Sequence, residues 1–197
     1  GGGGGGGMAL EFEDHPFWDY SIRVYRTDGV PAACLVLQEK HQIDVNVMLF
    51  CSWVGHSGHG VMNGDELTRT LDAVSQWHDD IVRALRAVRQ HLKGGLPPAP
   101  ESLSDALRRR ILKLEVDCEH TEQLMLAGTL ARKSDEALAP ERRAADALAN
   151  IANYFSRRDI AADGEDGDQL AIILGAAFTE LESGQVASMC GGLVATA

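Results

Sequence analysis

The stretch Pro16 to Gly55, PFWDYSIRVYRTDGVPAACLVLQEKHQIDVNVMLFCSWVG, constrains the fold of this chain more than any other. It holds two of the three Trp, two of the three Tyr and two of the four Cys, so any core must be assembled around it. The spacing predicts three short helices. Pro16 suits a first helical position, where its missing N–H would be unpaired anyway, with Asp14 available as a cap and Asp28-Gly29 as a stop. Phe17, Tyr20 or Ser21, Val24 and Tyr25 then share one face. Pro31 opens a second helix, which turns Cys34, Leu35 and Val36 inward until His41-Gln42. Asp44 caps the third. Ile43, Val45, Val47 and Leu49 alternate with Asp44, Asn46 and Met48 as a half-buried strand would, but the apolar run continues through Phe50, Cys51, Trp53 and Val54 without alternation. That favours a central helix buried all round.

Four phrases recur in order through this region: FWDYSIRVY, GVPAACLVLQEKHQIDVNVMLFCSW, WHDDIVRALRAVRQHLK and LRRRILKLEVDCEHTEQ. Together they resemble a proteobacterial family of small proteins known as a domain of unknown function, over about Phe17 to Leu130. The resemblance implies a helical fold and brings no activity, cofactor or catalytic residue with it. The chain departs from the family pattern at GHSGHG, which is richer in His than expected, and at Ala84, where a helix-bending Pro is expected.

The seven leading glycines carry no core-forming side chains and read as a linker or tag ahead of Met8. The rest, with 45% hydrophobic and 24% charged residues, has the composition of a globular protein. No apolar run reaches the ~20 residues that span a bilayer and no signal segment precedes the domain, so a cytoplasmic location is expected. A net charge of −11 argues against nucleic acid, whose phosphates demand a concentrated cationic surface. Cys34, Cys51, Cys118 and Cys190 stand singly, with no CxxC pair, and read as reduced thiols.

GHSGHGVMNGDE reads as a loop, after which Asp65 caps a long helix to Leu92. Its apolar stripe runs through Leu67, Leu71, Val74, Trp77 or His78, Ile81, Leu85, Val88 and Leu92. GGLPPAPES cannot continue a helix and links two hairpin arms. Ser104 caps the next helix, with a seam of Leu107, Ile111, Leu114, Cys118, Thr121 and Met125. Ala139-Pro140 starts another helix, and Asp168 caps a last one carrying Leu170, Ile173, Leu174, Ala177, Phe178 and Leu181 on one side. The expected architecture is all-α, a single bundle of six to eight helices over residues 8–182, followed by a flexible tail at 183–197. Trp18, Leu35, Met48, Phe50, Trp53, Leu85, Ile111, Leu114 and Cys118 are its expected core.

Four constellations bear on function. Cys51, His56 and His59 lie at C-x4-H-x2-H and offer ligands for a transition metal such as zinc, if the loop folds back; otherwise Cys51 is a buried small hydrophobe and the histidines are solvated. Glu115, Glu119 and Glu122, with Asp117 and His120, have the residue types of di-iron bundles, but they fall opposite the Leu107–Cys118 seam and read as a solvated acidic face. Asp159 to Leu170 fails as a calcium loop because Ala161 and Leu170 occupy ligand positions. Arg83, Arg86, Arg89 and Lys93 form a basic ridge, extended by Arg108 and Arg109, and reversing its arginines to Glu should leave stability almost unchanged. No P-loop, G-x-S-x-G or dinucleotide fingerprint is present. The expected function is therefore a non-enzymatic interaction module that binds an acidic protein or anionic ligand through the basic face, needing no cofactor. The alternative is a metal-binding protein using Cys51, His56 and His59.

Overall fold

The structure is a computed structural model that describes residues 9–195. The seven leading glycines and Met8 lie outside the described residues. All regular structure among the described residues is helical: α1 (Pro16–Tyr25), α2 (Val30–His41), α3 (Val45–His56), α4 (Gly64–Trp77), α5 (Arg83–Leu92), α6 (Glu101–Gly128), α7 (Pro140–Arg157), α8 (Gly164–Ala177) and α9 (Ser183–Ala195). A five-residue π turn, His78–Val82, joins α4 to α5 without a break, so the described residues make eight helical rods.

The central helix is α3. Ten of its twelve residues, Asn46 to Gly55, are buried, as its all-round apolarity requires. Asp44 caps it as expected, its Oδ1 accepting from the N–H groups of Asn46 and Val47. One side of α3 packs on α7, and the approach is close because neither helix offers a bulky side chain at the crossing. A Cβ on Gly55 would lie 2.1 Å from the Ala147 nitrogen. Phe17 of α1 fits beside Phe50 and Trp53 with ring centroids 5.2 and 5.6 Å away.

Several caps differ from the expected ones by a few residues. His15 rather than Asp14 caps α1, Asn63 rather than Asp65 caps α4 through a reciprocal box with Glu66, and Asp163 rather than Asp168 caps α8 through a box with Asp166. Ser104 lies inside α6, where it is buried. Residues 183–197, expected to be a flexible tail, contain α9, which places Val186 and Cys190 in the core against α8 and α7. Small residues read as frayed because they carry little apolar area, yet Ala, Gly and Ser are what a close helix contact needs. At that contact a Cβ on Gly167 would meet Val194 at 3.0 Å.

The expected core holds at Met48, Phe50 and Trp53. It fails at Leu35 and Leu114, both 50% exposed, while Trp18, Leu85, Ile111 and Cys118 are half-buried. The miss at Leu85 has its cause in the π turn. Before it, Leu67, Thr70 and Val74 face inward on an α-helical period, but after it the inward residues are Val82, Arg86 and Arg89. Each lies one position later than the expected Ile81, Leu85 and Val88, of which Ile81 and Val88 are exposed. A π turn inserts one residue into the helical repeat and so rotates everything beyond it. The turn forms without a proline, two residues before Ala84.

Gly55→Ala is expected to destabilise the protein by about 3 kcal/mol or more, because two backbones meet there and no rotamer relieves the clash. Thermal unfolding should show this as a Tm lowered by roughly 6–12 °C. An unchanged Tm would mean that α3 and α7 do not approach so closely.

Candidate metal centre

Three polar side chains from three separate elements meet where α3, the π turn and α6 come together. Asp44 enters from the cap of α3, His78 is the first residue of the π turn, and Glu122 projects from α6. His78 Nδ1 lies 2.9 Å from Glu122 Oε1 and 3.1 Å from Asp44 Oδ2. One ligand atom from each residue falls within 4.8 Å of the other two. All three are buried, Glu122 completely. The cap geometry holds Asp44 in place by occupying Oδ1 and leaving Oδ2 to face His78. Its backbone N–H donates to the Tyr154 hydroxyl of α7 at 2.9 Å, which fixes it from behind.

Burying these carboxyls has an electrostatic consequence. Loss of solvent pushes Asp44 well above the usual carboxylate range, and the neighbouring Glu122 charge adds to that while His78 opposes it. Loss of solvent likewise pushes Glu122 up to about 7, against the hydrogen bond from Asp44. Oε2 of Glu122 and Oε1 of the adjacent Gln123 are buried without a hydrogen-bond partner of good geometry. Gln123 spends both amide hydrogens, on Ser21 Oγ and on Asn46 Oδ1. The centre therefore presents more acceptors than donors.

One and two turns back along α6, the rotation of α5 brings Arg86 and Arg89 over Glu119 and Glu115. Arg86 donates to Glu115 at 3.0 Å and to Glu119 at 3.1 Å, and Arg89 donates to Glu115 at 2.6 Å. Glu115 is only 4% exposed. Glu115, Glu119 and Glu122, expected as a solvated acidic face, thus line the interior, and the expected seam residues Leu107 and Leu114 point outward. An ionic pairing at the α5–α6 contact has no apolar signature, so hydrophobic period alone placed both helix faces about one residue out of turn. Two of these carboxyls, Glu115 and Glu119, are matched by two guanidiniums; Asp44 and Glu122 are matched by none.

The other predicted site residues lie apart from this centre. Among the described residues, Asp44, His78 and Glu122 make up the one group of three possible ligands that meets this closely, so Cys51, His56 and His59 do not converge. Cys51 is fully buried, and burial pushes its thiol up to about 12. His56 sits between Tyr20 and Phe178, each ring centroid 4.9 Å away, and His59 Nδ1 bonds Ser57 Oγ at 2.6 Å. In the basic ridge, Arg86 and Arg89 turn inward, while Arg83 pairs loosely with Asp79 and Arg108 and Arg109 pair with Asp105 on an exposed face. Lys93 follows the end of α5 as its C-cap.

A family model described as "Protein of unknown function (DUF2390)" matches residues 16–126. The chain belongs to this family. Asp44, His78 and Glu122 all fall within the matched span, as do Arg86, Arg89, Glu115 and Glu119. No curated protein and no solved structure matches the chain. No helix among the described residues is long and apolar enough to cross a membrane.

Two outcomes follow from this geometry. Reversing Arg86 and Arg89 together to Glu should destabilise the fold by about 3 kcal/mol or more, because it leaves the buried Glu115 uncompensated beside new like charges. This overturns the near-neutral effect expected of a solvated ridge. Arg83→Glu, on an exposed and loosely held pair, should change stability by no more than ~0.5 kcal/mol, and denaturant melts of the variants compare the two.

The second concerns His56, which burial first, and then Arg143 and Arg23, hold down to about 4, against an unfolded value of 6.5. Between these values the unfolded chain binds the proton more readily, so the contribution of neutral His56 is complete above pH 6.5 and is lost as pH falls toward 4. The stability difference between wild type and His56→Phe should shift against wild type over that window. A difference independent of pH would show that the imidazole is not held neutral.

Proposed function

We propose that this protein binds one divalent first-row transition-metal ion through Asp44, His78 and Glu122. The observation that carries the reading is the convergence of two unmatched carboxyls and an imidazole, all buried, from three different elements. Buried carboxyls without cationic partners are costly, and a dication is the occupant that satisfies both at once. With metal–ligand bonds of 2.0–2.2 Å, the ligand atoms of a tetrahedral site lie roughly 3.3–3.6 Å apart. Separations of 2.9 and 3.1 Å from His78 reach that with a small outward movement. Imidazole with carboxylates suits manganese, iron, cobalt or zinc better than a thiolate-loving ion.

His78 stands at the start of the π turn, and such turns are frequent at functional positions. The metal-binding alternative raised by the sequence therefore moves from the GHSGHG loop to the α3–π turn–α6 junction. The basic-face reading loses support, since the two central arginines of that face spend their charge on Glu115 and Glu119.

Chelator-treated protein should take up one Zn²⁺, Mn²⁺ or Co²⁺ per chain by calorimetry and elemental analysis. Asp44→Asn, His78→Gln and Glu122→Gln should each weaken uptake at least about tenfold, while Cys51→Ala and the pair His56→Ala and His59→Ala should not. Ion at 100 times its Kd should also stabilise wild type by about 2.7 kcal/mol. No stoichiometric uptake, or uptake indifferent to the three substitutions, would sink the reading.

A further inference from the structure

Asp44 and His78 also form part of the wall of a cavity of about 420 Å³ enclosed by α1, α2, α3, the π turn, α5 and α6. That size is within the range of small-molecule sites. Its two ends differ sharply. At the inner end stand Asp44, His78, Asn46, Glu119 and Gln123, the last with a carbonyl oxygen that accepts no hydrogen bond although the residue is only 4% exposed. At the outer end four large apolar side chains remain open to solvent: Tyr25 at 45%, Leu35 at 50%, Leu112 at 41% and Val116 at 43%. They come from α1, α2 and α6, and all four line this cavity. Isolated exposed apolar residues need no explanation, but four gathered around the mouth of a cavity with a polar floor make a graded binding site.

We propose that this cavity binds a small amphipathic molecule whose polar oxygen-donor headgroup reaches the ion at Asp44, His78 and Glu122 and whose apolar body lies against Leu35, Leu112 and Val116. The inference rests on the metal reading above. Three protein ligands leave a first-row ion with at least one open position, the arrangement of sites that bind an exchangeable molecule rather than serve structure alone. Charge decides between headgroups. With a dication in place, Asp44 and Glu122 are balanced, and Glu115 and Glu119 are already balanced by Arg86 and Arg89. A headgroup without strong net charge is therefore favoured over a free phosphate or a dicarboxylate.

Hydroxamic acids probe these features together, since they coordinate a metal through oxygen and come with short or bulky tails. Protein loaded with Co²⁺ would be titrated with acetohydroxamic and benzohydroxamic acid while its visible absorption is followed. The expected result is a spectral change with both, with benzohydroxamic acid at least about tenfold tighter because its ring buries apolar area at the mouth. Inorganic phosphate should change the spectrum far less. In Leu35→Arg and Val116→Arg, placed at exposed positions that the fold does not depend on, cobalt uptake should persist and the tail preference should fall below about threefold. Cobalt bound with no response to either hydroxamate, or a response indifferent to tail and to both substitutions, would overturn the cavity inference and leave the metal reading standing. Absence of any cobalt signal would remove the metal reading, and this inference with it.

Discussion

The π turn at His78–Val82 determines how the second half of the matched family region is built. Without its extra residue, α5 would present Ile81, Leu85 and Val88 to the interior, as the apolar period suggests. With it, Val82, Arg86 and Arg89 face inward. The same shift sets two guanidiniums over Glu115 and Glu119. A helix with an uninterrupted hydrogen-bond ladder would place these side chains about 100° away around its axis. One local irregularity therefore orients the ionic α5–α6 contact beside the polar centre.

Asp44 has a second kind of importance. Its Oδ1 does the ordinary work of a helix cap, and its Oδ2 faces the histidine. Caps are rigid because two backbone N–H groups aim at one oxygen. A ligand atom on the same carboxyl inherits that rigidity, and the Tyr154 hydroxyl adds a third constraint through the backbone. Such preorganisation reduces the side-chain entropy that a floppy ligand loses on coordination.

Much of the fold was legible in the sequence. The three helices of the Pro16–Gly55 stretch follow from Pro16, Pro31 and Asp44 acting at helix starts, and the central role of α3 follows from its unbroken apolarity. Helix α7 begins at Ala139-Pro140 as its sequence indicates. The site was not legible, because its residues look ordinary one at a time. Asp44 reads as a cap, His78 as one of two alternatives on a stripe, and Glu122 as part of an acidic face. Only the packing of three elements makes them neighbours, and the α5–α6 register beside them was set by ion pairs and a π turn that leave no trace in hydrophobic period. The more conspicuous Cys51, His56 and His59 share a short segment but point to separate surroundings: the core, an aromatic gap and a hydroxyl.

The closeness of α3 to α7 bears on what the family region is. The match ends at residue 126, near the end of α6, whereas Ala147, whose nitrogen lies 2.1 Å from where a Gly55 side chain would begin, belongs to α7 beyond it. The most apolar helix of the matched span thus leans on a neighbour that the family pattern does not describe. In this chain residues 16–126 are not a self-contained unit. One flank of α3 is finished by sequence outside the matched span, which is small where Gly55 arrives and offers a hydroxyl where Tyr154 reaches the Asp44 backbone.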